Sequence, residues 1–112
     1  MKKIEAVIRV EKVKEVKEAL EKRGYPGMMI WRIQGHGRQK GVSQQFRGRE
    51  YKVDLLPKIK LEIVAKDHQV EAIVKTLLAA AKTGEIGDGK IFVFPLENAV
   101  RIRTGEEGEQ AL

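Results

Sequence analysis

Two short runs hold the residue types this chain could use for chemistry. Residues 84–91, GEIGDGKI, place Gly84, Gly87, Gly89 and Lys90 within eight positions. Gly84, Gly89 and Lys90 nearly satisfy the phosphate-loop pattern G-x-x-x-x-G-K-[ST]. Ile91, however, stands where a magnesium-binding hydroxyl is needed, and the run follows a helical pattern and precedes a strand, the reverse of the required order. A P-loop NTPase is therefore excluded. What remains is either an ordinary glycine turn or an anion site, in which Gly87 and Gly89 admit close main-chain approach and Lys90 supplies a positive charge. Residues 100–105, VRIRTG, add two guanidinium groups. An extended conformation would put Arg101 and Arg103 on one face and Ile102 on the other. Two such groups held together repel unless an anion sits between them, and their planar N–H forks suit phosphate oxygens. With Lys90 upstream and Arg38 in an earlier loop, a polyphosphate site is a serious candidate.

Other chemistries fall away. GHGRQKG (35–41) is not a dinucleotide fingerprint, because Gly41 comes one residue late and no helix follows. His36 and His68 fit no metal spacing, and the chain has no cysteine, which removes disulfides and thiolate metal sites and fits a reducing cytoplasm. No nucleophile with a base and an orienting carboxylate is evident, which argues against an enzyme. The net charge of +6 favours an anionic partner. RNA-recognition modules stack bases on aromatics of their central strands, whereas KIEAVIRV and KIKLEIVA contain none, so that reading is rejected.

The elements that must position these runs follow from periodicity. Residues 3–10 alternate, with Ile4, Ala6, Ile8 and Val10 on one face, as a half-buried strand does. Val13, Val16, Ala19 and Leu20 recur at helical spacing, with Gly24 as the stop. GMMIWRIQ (27–34) reads as a second strand. The second half repeats the unit: KIKLEIVA (58–65) alternates through Ile59, Leu61, Ile63 and Ala65. Asp67 is placed to cap a helix with the stripe Val70, Ile73, Val74, Leu77, Leu78 and Ala81, and KIFVF (90–94) is a final strand before Pro95. Two βαβ units in 112 residues, 42% hydrophobic, predict one α+β domain over 1–112. The expected fold is a ferredoxin-like double βαβ sandwich: an antiparallel sheet with its first and third strands central and both helices on one face. Val7, Val64, Phe92 and Phe94 then point to the uncovered face, a pattern that favours burial against another subunit. No apolar run approaches the length of a membrane span, and Glu5 and Arg9 interrupt what a signal peptide would need.

Between the halves, residues 37–57 show no credible helix or strand. Loops beyond ~12–15 residues in a compact domain are usually functional or disordered. Folded back on itself, this one could reach roughly 30 Å at ~3.3 Å per residue, beyond the ~13 Å gyration radius of such a domain.

The runs GMMIWRIQGHGRQKG, FRGREYKVDLLPKIKLEIV and TGEIGDGKIFVFPLENAVRIRTGEEGEQAL resemble the PII family of nitrogen-signalling proteins across essentially the whole chain. The resemblance implies a homotrimer of ferredoxin-like subunits that binds ATP or ADP in clefts between neighbours. With Mg-ATP in place it would also bind 2-oxoglutarate. It implies that Gly87, Asp88, Gly89, Lys90, Arg101 and Arg103 hold the phosphates, helped by Arg38. Val7, Gly35, Gly37, Glu62, Ile63 and Val64 would line the nucleoside pocket. Gln39 would ligate the magnesium that chelates 2-oxoglutarate, with Lys40, Gly41 and Lys58 completing the effector site and Lys58 pairing with the far carboxylate. The loop at 37–57 corresponds to the family's T-loop, and 95–112 to a short C-terminal segment. Arg47 matches the arginine that members insert into an ammonium transporter, and Tyr51 the tyrosine that some bacterial members have uridylylated. The implied protein is a cytoplasmic regulator, recruited to the membrane by such a transporter or acting on nitrogen-metabolism enzymes, with no role for nucleic acid. A PII-like trimer serving a different effector or target enzyme is the alternative. The chain departs from the family pattern at Met29 (usually threonine), His36 (phenylalanine) and Phe46 (tyrosine). Arg32 and Gln34 replace a glutamate and a basic residue. Arg49 occupies the place of a serine phosphorylated in cyanobacterial relatives.

Overall fold

The structure, a computed structural model, describes residues 1–25, 27–37, 42–46, 49–53 and 55–112, with the main chain alone described at 42–46 and 49–53. The alternating run at the start forms β1 (Lys2–Arg9), with Ile4, Ala6 and Ile8 buried, and a 3-10 turn (Val10–Lys12) leads into α1 (Val13–Lys22). α1 ends where Gly24 turns to φ +81. There Gly24 N–H donates to Glu21 O at 3.0 Å and Tyr25 N–H to Leu20 O at 2.9 Å, the paired bonds of a Schellman cap. β2 (Met29–Gly35) closes the first βαβ unit. β5 (Leu56–Ala65), α2 (Val70–Ala81) and β6 (Lys90–Pro95) form the second.

The four long strands make one antiparallel sheet in the order β2-β5-β1-β6, so the first and third strands of the double unit are central, as their matching patterns predict. This is the α+β ferredoxin-like arrangement. Both helices pack on one face, where Val16 and Leu20 of α1 and Ile73 and Leu77 of α2 meet Ile4, Ile8, Leu61 and their neighbours. Each fully buried aliphatic side chain there contributes about 1.5–3 kcal/mol. On the open face the register lines side chains up in rows across the strands: Met29–Glu62–Glu5–Phe92, then Trp31–Lys60–Val7–Lys90, then Ile33–Lys58–Arg9. Cations cover part of its aromatic surface, Lys60 Nζ lying 4.9 Å from the Trp31 ring centre and Lys3 Nζ 5.0 Å from that of Phe94. Phe92 and Phe94 nonetheless stay 44% and 41% exposed.

Four expectations need correction. The segment 37–57 is not without strands: β3 (Val42–Phe46) and β4 (Arg49–Val53) pair antiparallel as a separate two-stranded ribbon, and β5 begins at Leu56. VSQQF has apolar residues only at its two ends and REYKV only the pair Tyr51 and Val53, too little for hydrophobic period to mark either as a strand. Asp67 makes no cap bond; it opens a 3-10 turn and pairs with the Met1 ammonium at 2.9 Å, while Gln69 Oε1 accepts the Lys66 N–H at 3.0 Å. Leu78 belongs to the apolar stripe of α2 but is 54% exposed, because the stripe is wider than the surface that covers it. Finally, residues 101–105 are not extended. Val100 forms an isolated bridge with Glu107, and the chain then turns, with Gly105 N–H donating to Arg101 O at 2.7 Å.

Candidate functional site

The third row of the open face opposes two cations, Arg9 on β1 and Lys58 on β5. Like charges facing across strands are destabilising unless compensated. The glycine-rich loop between α2 and β6 supplies the compensation. Arg9 Nε donates to Asp88 Oδ1 at 2.9 Å and Arg9 Nη2 to Ile86 O at 2.9 Å, while Lys58 Nζ donates to Gly87 O at 2.7 Å. Asp88 also organises the loop from within. Its Oδ2 accepts the N–H groups of Thr83 and Gly84, each at 2.8 Å, and its Oδ1 accepts the Thr83 hydroxyl. That hydroxyl first, then Arg9 and the two N–H groups, hold the Asp88 carboxyl well below the usual carboxylate range against the opposing effect of desolvation. Burial, with Arg9 beside it, lowers the Lys58 ammonium from its ordinary value, and nearby Glu11 and Asp88 partly offset this.

The loop is pressed against the sheet at Gly89. Its φ is +98, and a Cβ built there would lie 1.7 Å from Val7 O, so the contact with β1 admits only glycine. Lys90 follows directly; it is exposed and has no anionic partner among the described residues. Beyond it, a hollow of about 410 Å³ opens between α2 and β6, bordered by Val7, Leu78, Asp88, Gly89, Lys90 and Ile91. A larger hollow of about 750 Å³ runs between α1 and α2, past Arg23, His68, Glu71 and Lys75, and none of the residues singled out above for phosphate binding lines it.

The site residues expected from sequence are therefore only partly assembled. Val7, Lys58, Gly87, Asp88, Gly89 and Lys90 meet at one end of the sheet. Gly35, at the end of β2, adjoins them, since a Cβ there would touch Lys58 Cγ at 3.4 Å. Gly37 is exposed just beyond. Glu62 and Val64 share the open face with Val7, whereas the Ile63 side chain is in the core, so only its main chain can face a ligand. Arg101 lies elsewhere: it pairs with Glu106 at 2.9 Å and donates to Gln110 O at 3.0 Å and Leu112 O at 3.3 Å. Arg103 is exposed, and among the described residues no hydrogen bond or ion pair ties it or Arg101 to the glycine loop. Arg38, Gln39, Lys40, Gly41 and Arg47 lie outside the described residues, as does the Tyr51 side chain, whose main chain pairs with Gln44.

Sequence reasoning missed Arg9 and Thr83, the residues that tie the loop down. Period two puts Arg9 on the face of Val7, but nothing local marks it as the partner of a carboxylate 79 positions away. Chemically, the arrangement suits a phosphate chain. Loop glycines allow close approach, Lys90 provides charge, and the Asp88 carboxylate has its oxygens occupied by Thr83, Gly84 and Arg9. Because Arg9 positions the loop, Arg9→Ala should weaken binding of an anionic ligand there. It should also raise the Lys58 pKa towards its ordinary value, which NMR titration of the Lys58 Cε and Nζ signals would register; an unmoved Lys58 would refute the coupling.

The family model described as Nitrogen regulatory protein P-II matches residues 1–106. Nitrogen regulatory protein P-II 2 of Methanothermobacter thermautotrophicus is 52% identical over 112 residues, covering all of this chain and 97% of that protein. Proteins named Nitrogen regulatory protein P-II from Microchaete diplosiphon and Cereibacter sphaeroides are 54% and 53% identical, each aligned over the whole of both chains.

Proposed function

The chain belongs to the nitrogen regulatory protein P-II family, and from that premise we propose that it is a cytoplasmic, homotrimeric sensor of ATP or ADP and of 2-oxoglutarate. Members of the family are regulatory signal-transduction proteins, not enzymes; they bind nucleotides and effectors and act on target proteins. A nitrogen-regulatory signalling role follows for this chain. No helix among the described residues is long and apolar enough to cross a membrane.

In the proposed sensor the whole chain, 1–112, acts as one domain, and the open faces of three sheets bury Phe92, Phe94 and Trp31 against one another. Gly87, Gly89 and Lys90 of one subunit, on a loop shaped by Asp88, face Arg101 and Arg103 of a neighbour, and the nucleotide phosphates lie between them with Arg38 adding charge. Val7, Gly35, Gly37, Glu62, Val64 and the main chain of Ile63 line the nucleoside pocket. Magnesium, when bound, would supply a hard cation for oxygen ligands, and Gln39 is the residue that would hold it. Lys58, with Lys40 and Gly41, binds the effector. Since Lys58 also holds the Gly87 carbonyl, the effector and the phosphates would lean on one loop, which gives a physical reason for linked binding. The segment 37–57, carrying Arg47 and Tyr51, reports the bound state to a target, first an ammonium transporter. Each ligand shifts its conformations only by its differential affinity for them.

The observation that supports this reading best is the glycine loop itself, fixed to the sheet by Arg9, Asp88 and Lys58 while Lys90 stays exposed. Calorimetry tests it. ATP should bind, and 2-oxoglutarate should bind only with Mg-ATP present. Absence of ATP binding would overturn the reading, and ATP binding without an effector response would favour a P-II trimer serving another metabolite or target enzyme.

A further inference from the structure

The Arg101 guanidinium is held by its own chain. In the hairpin at 98–108, Val100 bridges Glu107, and Arg101 N–H donates to Glu106 O at 2.9 Å. Gly108 N–H donates to Ala99 O at 2.9 Å and to Asn98 Oδ1 at 3.1 Å, which fixes the far end. Beyond that point a 3-10 turn (Gly108–Ala111) folds back to the arginine. Among the described residues, two hydrogen bonds tie residues 109–112 to the rest of the chain. Both come from Arg101 Nη2, to Gln110 O at 3.0 Å and Leu112 O at 3.3 Å. Glu106 Oε1 accepts from Nη1 at 2.9 Å.

A guanidinium grips an oxyanion in a fork through one of two N–H edges, Nε with Nη2 or Nη1 with Nη2. Both edges include Nη2, and its two hydrogens are committed to main-chain oxygens. Arg101 therefore cannot form a fork with a phosphate while the turn is in place, and Glu106 offsets its charge as well. We propose that Glu106 and the turn form an internal cap on Arg101 that competes with the phosphates of a bound nucleotide, so that binding frees residues 109–112. The proposal rests on the nucleotide-sensor reading above. Glu106 is then a positioning residue, which touches no ligand and sets how much of the Arg101 charge a phosphate meets. Release is cheap, because the ion pair is open to solvent and the two carbonyl bonds are surface bonds. A phosphate chain returns stronger, charge-assisted bonds to the same donors.

Glu106→Gln removes the charge and keeps the main-chain bonds of residue 106, its carbonyl accepting from Arg101 N–H and its N–H donating to Thr104 Oγ1 at 3.2 Å. This variant should bind ATP about 3- to 5-fold more tightly by calorimetry, the upper range for an ion pair open to solvent. The gain should vanish when the same change is made in an Arg101→Ala chain, which a merely structural effect would not do. A second measurement needs no variant. In the native protein, NMR order parameters of residues 109–112 should fall below about 0.6 when ATP is added, while those of α2 stay unchanged. If ATP binds but Glu106→Gln brings no gain, or the gain persists without Arg101, or the turn stays ordered, the cap is refuted and the sensor reading stands. If the native protein binds no ATP, the sensor reading falls and the cap with it.

Discussion

Replacing Gly89 by alanine should abolish measurable nucleotide binding and destabilise the fold by roughly 3 kcal/mol, the sum of a strained left-handed residue and an overpacked contact. The backbone there has φ +98, and the new methyl group would fall 1.7 Å from Val7 O, inside any permitted contact. The loop would have to leave β1, and Lys90 would leave with it. Gly84 is the internal control. Its φ is +92, but a Cβ there meets nothing within 4 Å. Gly84→Ala should therefore cost only the conformational part, about 1–2 kcal/mol, and keep most of the affinity. Urea unfolding and ATP calorimetry on both variants separate the two contributions. Equal behaviour of the two would show that contact with β1 does not matter.

Asp88→Asn should weaken nucleotide binding by roughly 10- to 100-fold while leaving the core intact, because charge-assisted hydrogen bonds are lost on both sides of one side chain. Two carboxylate oxygens receive donors from Thr83, Gly84 and Arg9. An amide offers one acceptor oxygen and turns an N–H₂ group towards donors on the other side. Either the loop's own turn or its tie to Arg9 must fail. The Lys58 titration distinguishes this variant from Arg9→Ala. Asp88 raises the Lys58 pKa and Arg9 lowers it, so the two substitutions should move it in opposite directions. The sign of the pH dependence follows as well. The Asp88 pKa is depressed by folding, so its contribution is fully present above the ordinary aspartate value near about 3.9 and declines as pH falls towards its folded value. An acid-induced loosening of the loop below about pH 4 should appear in the native chain and be missing from Asp88→Asn, whichever probe reports the loop.

How much of this was legible in the sequence depends on whether a residue faces a core. Ile4, Ala6 and Ile8, and Ile59, Leu61, Ile63 and Ala65, are buried as their alternation predicts, and that alone orders the sheet. Gly24 ends α1 as expected, since a left-handed stop is a local property. Where the partner is distant or polar, local pattern fails. Arg9 looks like any charged strand end. Asp67 has the right type for a cap, yet the Met1 ammonium captures it. The R-x-R run reads as extended until Gly105 is seen to close a turn back onto Arg101. The glycine loop is legible as a place for an anion, but the part of Asp88 is not, because its carboxylate shapes the loop from within through Thr83, Gly84 and the distant Arg9.

The strand order has a further consequence, in time rather than in space. β1 and β2 belong to the same βαβ unit, yet β5 lies between them, and both neighbours of β1 come from the second half of the chain. Ile4 must wait for Ile63 and Val93, so no sheet hydrogen bond of β1 can form while only the first fifty residues have been synthesised. The internal repeat therefore does not make two independent folding units. Long loop closures must precede the stabilising contacts, which slows folding relative to a chain built from local pairings. During that interval KIEAVIRV, apolar at every second position and without a partner strand, is the segment most exposed to mispairing, and Lys3, Glu5 and Arg9 are the charges that oppose it.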